Sequence, residues 1–154
     1  MVDFDRDFWT LDFEASSLSQ SSYPIEVGYC NLFLDVRKSF LIRPAHIWTR
    51  FPGGWSEESA KIHGITIEEI YTDGIDPETV CEELNADLDN SAVFVDGGFY
   101  DLFWLEKLYD LTDMEPSFHL SYVHYNGKEN TKHRALADAI DLWYEVEKSI
   151  CSPS

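Results

Sequence analysis

Asp12 and Glu14 stand two residues apart in Trp9-Thr10-Leu11-Asp12-Phe13-Glu14-Ala15, and Asp101, His133 and Asp138 follow further along the chain. In a strand, side chains alternate between faces, so Thr10, Asp12 and Glu14 would share one side and Trp9, Leu11, Phe13 and Ala15 the other. Two carboxylates crowded beside an apolar face repel each other and are costly to bury unless a cation relieves them. Hard divalent ions favour such oxygen donors. An imidazole, with an ordinary pKa of about 6.5, can take up a proton near neutral pH. Carboxylates around a metal with a histidine beside them can cleave phosphodiesters.

Context separates these residues from others of the same type. Asp-x-Glu recurs at Asp76-Pro77-Glu78 and Asp113-Met114-Glu115, but the first opens a helix and the second lies in a polar turn before Pro116. Asp12 and Glu14 alone sit in a strongly apolar strand. Asp101 lies on the helical stripe of Trp104, Leu105 and Leu108, which normally faces a core, so it needs a partner there; first-turn stabilisation by the helix dipole is the alternative. Asp138 borders the apolar side of the last helix beside Ala135 and Leu142, where a solvated face is the alternative. His133 lies five residues earlier, roughly 140° away around a helix, so it must reach the same place from the helix start or the preceding loop.

The elements that would position these side chains follow from pattern. A strand at Trp9 to Ala15, a serine-rich loop from Ser16 to Ser22, and strands at Ile25 to Leu34 and Lys38 to Ile42 around Asp35-Val36-Arg37 suggest an antiparallel hairpin series. Irregular structure is expected from Pro44 to Trp55, then short helices opened by Ser56 and Thr66, the first ending near Gly64. Asp76-Pro77-Glu78-Thr79 caps a helix in which Val80, Leu84 and Leu88 recur at helical spacing. Ala92 to Val95 and Phe118 to Val123 read as buried strands, with helices over Tyr100 to about Tyr109 and His133 to about Ile150. Three hairpin-linked strands followed by strand-helix alternation predict a mixed sheet with helices on its faces. The segment His124 to Lys132 is expected to be a mobile loop.

The 154 residues suit one domain spanning 1–154, and 44% hydrophobic with 15% aromatic residues is globular composition. The net charge of -18 argues against an extended basic groove, because sequence-independent affinity for nucleic acid comes from Lys and Arg neutralising phosphates. It favours short substrates, a partner that delivers them, or contact at one strand end. Cys30, Cys81 and Cys151 lack zinc-finger spacing and suit reduced thiols in a cytoplasmic protein. No membrane-spanning run or signal peptide is evident. The aromatic content suits either a core or a surface that pairs with a protein partner or homodimer.

Taken in order, four segments resemble the DnaQ-like 3′→5′ exonucleases of the DEDDh group. They are Leu11-Asp12-Phe13-Glu14 with Leu18, Ile62-His63-Gly64-Ile65-Thr66, Phe99-Tyr100-Asp101 with Trp104-Leu105, and His133-Arg134-Ala135-Leu136-Ala137-Asp138-Ala139. The resemblance implies a ribonuclease H-like fold, a five-stranded mixed α/β sheet with the acids gathered at its centre. It implies that Asp12, Glu14, Asp101 and Asp138 hold two divalent cations, Mg²⁺ or Mn²⁺, that His133 is the general base, and that nucleoside 5′-monophosphates leave from the 3′ end of single-stranded DNA or RNA. Leu18 would wedge against the terminal base, with Phe13, Ala15, His63, Gly97 and Gly98 near the substrate. Lys128, Lys132 and Arg134 either close on the substrate phosphate or form a solvated polar loop. Two positions depart from the family pattern: Ala15 replaces a frequent Thr, and Asp96-Gly97-Gly98 replaces a frequent His-Asn-Ala. An oligoribonuclease-like enzyme restricted to short RNA and a catalytically silent nuclease-fold binding module are the alternatives.

Overall fold

Alternation makes the first strand. In the computed structural model, which describes residues 6–96, 98–123 and 133–151, β1 (Trp9–Ala15) sends Trp9, Leu11, Phe13 and Ala15 into the main core. Thr10, Asp12 and Glu14 take the opposite face, as period-two geometry requires. β2 (Pro24–Asn31) and β3 (Val36–Leu41) continue antiparallel, with Asp12 opposite Gly28 and Glu14 opposite Glu26. β2 stops at Asn31, earlier than Leu34, because Leu32 to Asp35 form the turn. There Asp35 adopts φ 58 and the N–H of Leu34 bonds back to Asn31. β3 accordingly starts at Val36 rather than Lys38.

β4 (Ala92–Asp96) and β5 (His119–Val123) add parallel pairings to β1's other edge, giving the order β3-β2-β1-β4-β5. A short 3-10 turn at His46–Arg50 occupies the stretch expected to be irregular. α1 (Glu57–His63) starts at the Ser56 cap and ends at left-handed Gly64, and α2 (Ile67–Thr72) starts with a full Thr66/Glu69 capping box. α3 (Pro77–Leu88) has Asp76 as its cap, and α4 (Phe99–Tyr109) buries Asp101 with Trp104, Leu105 and Leu108. α5 (Ala135–Cys151) begins two residues later than its apolar pattern suggested, so His133 and Arg134 precede the helix.

Two apolar clusters flank the sheet. The larger joins β1, β2 and β4 to α2, α3 and α4 through Leu11, Val27, Ile70, Leu84, Val93 and Leu108. The smaller packs Phe8 and Cys30 against Ala139, Leu142, Trp143 and Val146 of α5, with Phe8 stacked on Trp143 at 4.9 Å. Central strands covered on both faces read as apolar runs, as in β2, where every residue is buried. Among the described residues no helix is long and apolar enough to cross a membrane.

Candidate metal centre

The face of β1 that carries the acids is the face on which α5 lies. Thr10 Oγ1 donates to the carbonyl of Ala139 at 2.6 Å, fixing the helix against the strand. Opposite Asp12, Gly28 leaves bare backbone: a Cβ there would come within 2.2 Å of the Leu136 nitrogen. The first turn of α5 therefore presses directly on the sheet. Opposite Glu14, Glu26 accepts the Ala135 N–H at 2.9 Å. The N–H of Asp138 bonds to the Arg134 carbonyl, which sets Asp138 in the first turn. As a result, carboxylate oxygens of Asp12, Glu14 and Asp138 lie within 4.8 Å of one another.

Asp101 comes from the other direction. β1 pairs with β4 at Trp9↔Val93 and Thr10↔Phe94, so the Phe13 N–H lies beyond that pairing. Asp101, in the first turn of α4, lies near enough for that N–H to hold its pKa down. Asp101 is 6% exposed and close enough to Asp12 to be the leading charged neighbour that raises its pKa.

The electrostatics are those of a site short of positive charge. Burial first, then Asp101, Glu14, Asp138 and Asp96, push Asp12 well above the ordinary carboxylate range. Burial, then Asp138 and Glu26, push Glu14 up to about 8, against a smaller opposing pull from Arg134. Burial and Asp96 raise Asp101 to about 7, with the Phe13 N–H opposing. Asp138 contributes most to the Glu14 shift after burial, so the two carboxylates favour the protonated form of Glu14. An all-oxygen donor set of mutually repelling acids fits a hard divalent cation of the Mg²⁺ or Mn²⁺ kind. It offers no sulfur and no nitrogen among the three clustered ligands.

Beside Glu14 opens a cavity of about 220 Å³, lined by Phe13, Ala15, Leu18, Ile62, His63, Trp104 and His133 among others. His133 is exposed and adopts φ 57 just ahead of α5. Leu18 is 66% exposed at the rim, whereas the Phe13 and Ala15 side chains are buried in the core. His63 is buried; its Nδ1 accepts the Ile65 N–H at 3.0 Å, which places the ring proton on Nε2. Burial lowers its pKa. A larger hollow of about 530 Å³ between Leu102 and Pro116 includes none of the site's carboxylates, so size does not locate the chemistry.

Gly98 is the residue before α4, half-buried, where a Cβ would meet the Asp96 carbonyl at 3.2 Å. Arg134 is engaged by Glu26 through Nε at 3.0 Å and Nη2 at 2.6 Å. Gly97, Lys128, Lys132 and the His124 to Lys132 loop lie outside the described residues. Sequence reasoning overlooked Glu26 and Gly28. The signal for Glu26 was present: an acid between Ile25 and Val27 in an apolar strand must have a partner.

The fold matches that of solved exonucleases. Exonuclease I of E. coli, in complex with a dA16 oligonucleotide, aligns with TM-score 0.68 at 12% identity over 94% of this chain and 41% of its own. A 3′-exonuclease solved in a study of histone mRNA stem-loop recognition aligns with TM-score 0.64 at 13% identity, over 94% of this chain and 64% of its own. An exonuclease I structure concerned with processivity gives 0.69 at 14% identity, over 92% and 40%. The sheet is thus ribonuclease H-like, with the five strands and the antiparallel-then-parallel pairing expected from the sequence. The chain spans 40% to 64% of the lengths of the first structures it matches. No protein-family model and no curated protein matches the sequence.

Proposed function

We propose that the chain is a metal-dependent 3′→5′ exonuclease, a single nuclease domain over residues 1–154 acting in the cytoplasm on single-stranded DNA or RNA ends. The observation that carries this reading is the convergence of Asp12, Glu14 and Asp138 oxygens within 4.8 Å, with the charge of Asp101 acting on Asp12 and His133 lining the adjoining cavity. Asp12, Glu14 and Asp138, with Asp101 beside them, would hold two Mg²⁺ or Mn²⁺ ions. When bound, such ions supply Lewis acidity that acidifies water and neutralises charge on the leaving oxygen. An imidazole nitrogen of His133 takes the proton from the attacking water. Leu18 and the apolar wall of the cavity, which His63 also lines, receive the terminal base. The net charge of -18, with Arg134 already paired to Glu26, favours short substrates over long strands.

The deciding experiment digests 5′-labelled single-stranded DNA and RNA of several lengths with Mg²⁺, Mn²⁺ or EDTA. A ladder shortening from the 3′ end is expected, lost with EDTA, with Asp12→Asn and with His133→Ala. Cleavage by Asp12→Asn at the wild-type rate would remove the metal assignment. No cleavage by folded wild-type protein would leave a nuclease-fold binding module as the better reading.

A further inference from the structure

We infer that Glu26 is a positioning residue that holds His133 in its working conformation, a role that rests on the nuclease reading of the site. His133 has φ 57, in the left-handed region. That region disfavours any residue with a Cβ and persists where neighbouring contacts over-determine it. The two residues that follow are both tied to Glu26. Arg134 donates from Nε to Oε1 at 3.0 Å and from Nη2 to Oε2 at 2.6 Å, and the Ala135 N–H donates to Oε1 at 2.9 Å.

The need for this clamp is visible in the sequence at the start of α5. A helix leaves its first N–H groups without partners, and a Ser, Thr, Asp or Asn at the cap position usually supplies the acceptor. Here the cap position holds Arg134, whose carbonyl takes the Asp138 N–H but whose side chain has no acceptor. Glu26, on the adjacent face of β2, supplies an acceptor for one of these groups, the Ala135 N–H. A neutral acceptor would serve the helix alone. The carboxylate adds the forked ion pair to Arg134, although it adds repulsion toward Glu14, which it faces in the β1-β2 register. Pinned at Arg134 and Ala135, with Gly28 admitting the helix backbone immediately below, the chain has little freedom at His133. Its imidazole is thereby kept on the cavity it shares with Glu14.

The test compares wild type, Glu26→Gln, Glu26→Ala, His133→Ala and the Glu26→Ala/His133→Ala double variant, each checked for folding by circular dichroism. With a short 5′-labelled oligonucleotide and saturating Mn²⁺, Glu26→Ala should lower kcat about 10- to 100-fold with little change in KM, the scale of losses on removing outer-shell supports. Glu26→Gln, which keeps one acceptor for Ala135, should fall in between. The double variant should cleave within about threefold of His133→Ala, because both changes remove one function. Independently multiplying losses would overturn the role. A second readout does not depend on catalysis: the Cα and Cβ chemical shifts of His133 should carry the left-handed signature in wild type and lose it in Glu26→Ala. Their persistence in the variant overturns the inference even if the wild-type protein cleaves nothing. Absence of cleavage in wild type with loss of that signature would sink the nuclease reading and leave the clamp standing.

Discussion

Gly28→Ala is the sharpest perturbation the structure offers, because it adds one methyl group at the point where α5 meets the sheet. The new Cβ would lie 2.2 Å from the Leu136 nitrogen, 2.5 Å from the Ala135 carbonyl carbon and 2.5 Å from the Leu136 Cα. All three are backbone atoms, so no side chain can rotate away. Restoring ordinary contact near 3.4 Å requires the first turn of α5 to withdraw by about 1 Å. Overpacking of this kind costs about 1 to 3 kcal/mol, or several degrees in Tm for a chain of this size. The same withdrawal carries Asp138 away from Asp12 and Glu14 and strains the bond from Ala135 to Glu26. Misplacing a reacting group by about 1 Å can cost roughly a hundredfold in rate. We expect Mn²⁺ affinity, measured by calorimetry, to fall at least tenfold and cleavage about a hundredfold. Gly74→Ala is the control, since its Cβ would meet the Ile70 carbonyl oxygen at 2.1 Å and the Arg43 nitrogen at 2.7 Å, outside the carboxylate cluster. It should lower Tm comparably and leave Mn²⁺ affinity unchanged. Gly28→Ala protein that binds Mn²⁺ as wild type does would refute the claim that close approach of α5 builds the site.

Three further outcomes follow from the same geometry. Asp101, raised to about 7, and Glu14, raised to about 8, have folded-state pKa values above their unfolded ones. Their stabilisation is complete below about pH 4 and is lost as pH rises through 7 to 8, by up to about 4 kcal/mol for Asp101. Metal-free protein should therefore melt lower at pH 8 than at pH 5 and regain stability with Mg²⁺; equal Tm values in EDTA at the two pH values would contradict the crowding. Asp12→Asn removes one crowded charge, so at pH 8 in EDTA it should raise Tm by a few degrees while abolishing cation binding, and a lower Tm would count against repulsion at that position. His63→Ala removes the acceptor of the Ile65 N–H, which should cost about 1 to 3 kcal/mol in denaturant titration, and a stability within 0.5 kcal/mol of wild type, roughly measurement error, would show that the bond contributes nothing.

What could be read from the sequence divides along the range of the forces involved. The β1 face, the Ser56, Thr66 and Asp76 caps, and the Asp101 stripe depend on period and on neighbours within one turn, and they stand where local pattern puts them. The start of α5 was misjudged because Ala135 and its neighbours continue an apolar helical pattern back toward His133. The helix stops short of His133, whose φ of 57 is left-handed, and its first N–H is taken by Glu26, 109 residues away in sequence. Gly28 reads as one more small residue in an apolar strand until the helix is laid across it. Arg134 reads as a basic group beside an open loop, whereas its guanidinium is turned to β2. These three are contacts between β2 and the start of α5, invisible to any window of neighbouring residues, whereas the early end of β2 is a local turn.

Those contacts share a logic. Thr10, Asp12 and Glu14 face Cys30, Gly28 and Glu26 in register, and each pair meets α5 differently. The Thr10 hydroxyl bonds to Ala139, Gly28 offers bare backbone to Leu136, and Glu26 takes the Ala135 N–H. The residues that dock the helix thus alternate with the acids that repel one another, on one face of two strands. Separating the carboxylates would relieve the repulsion, but only by undocking α5 and exposing Ala139, Leu142, Trp143 and Val146. Burial of that helix is what keeps the acids within reach of one another, so the strength of the core sets how much mutual repulsion the cluster can sustain.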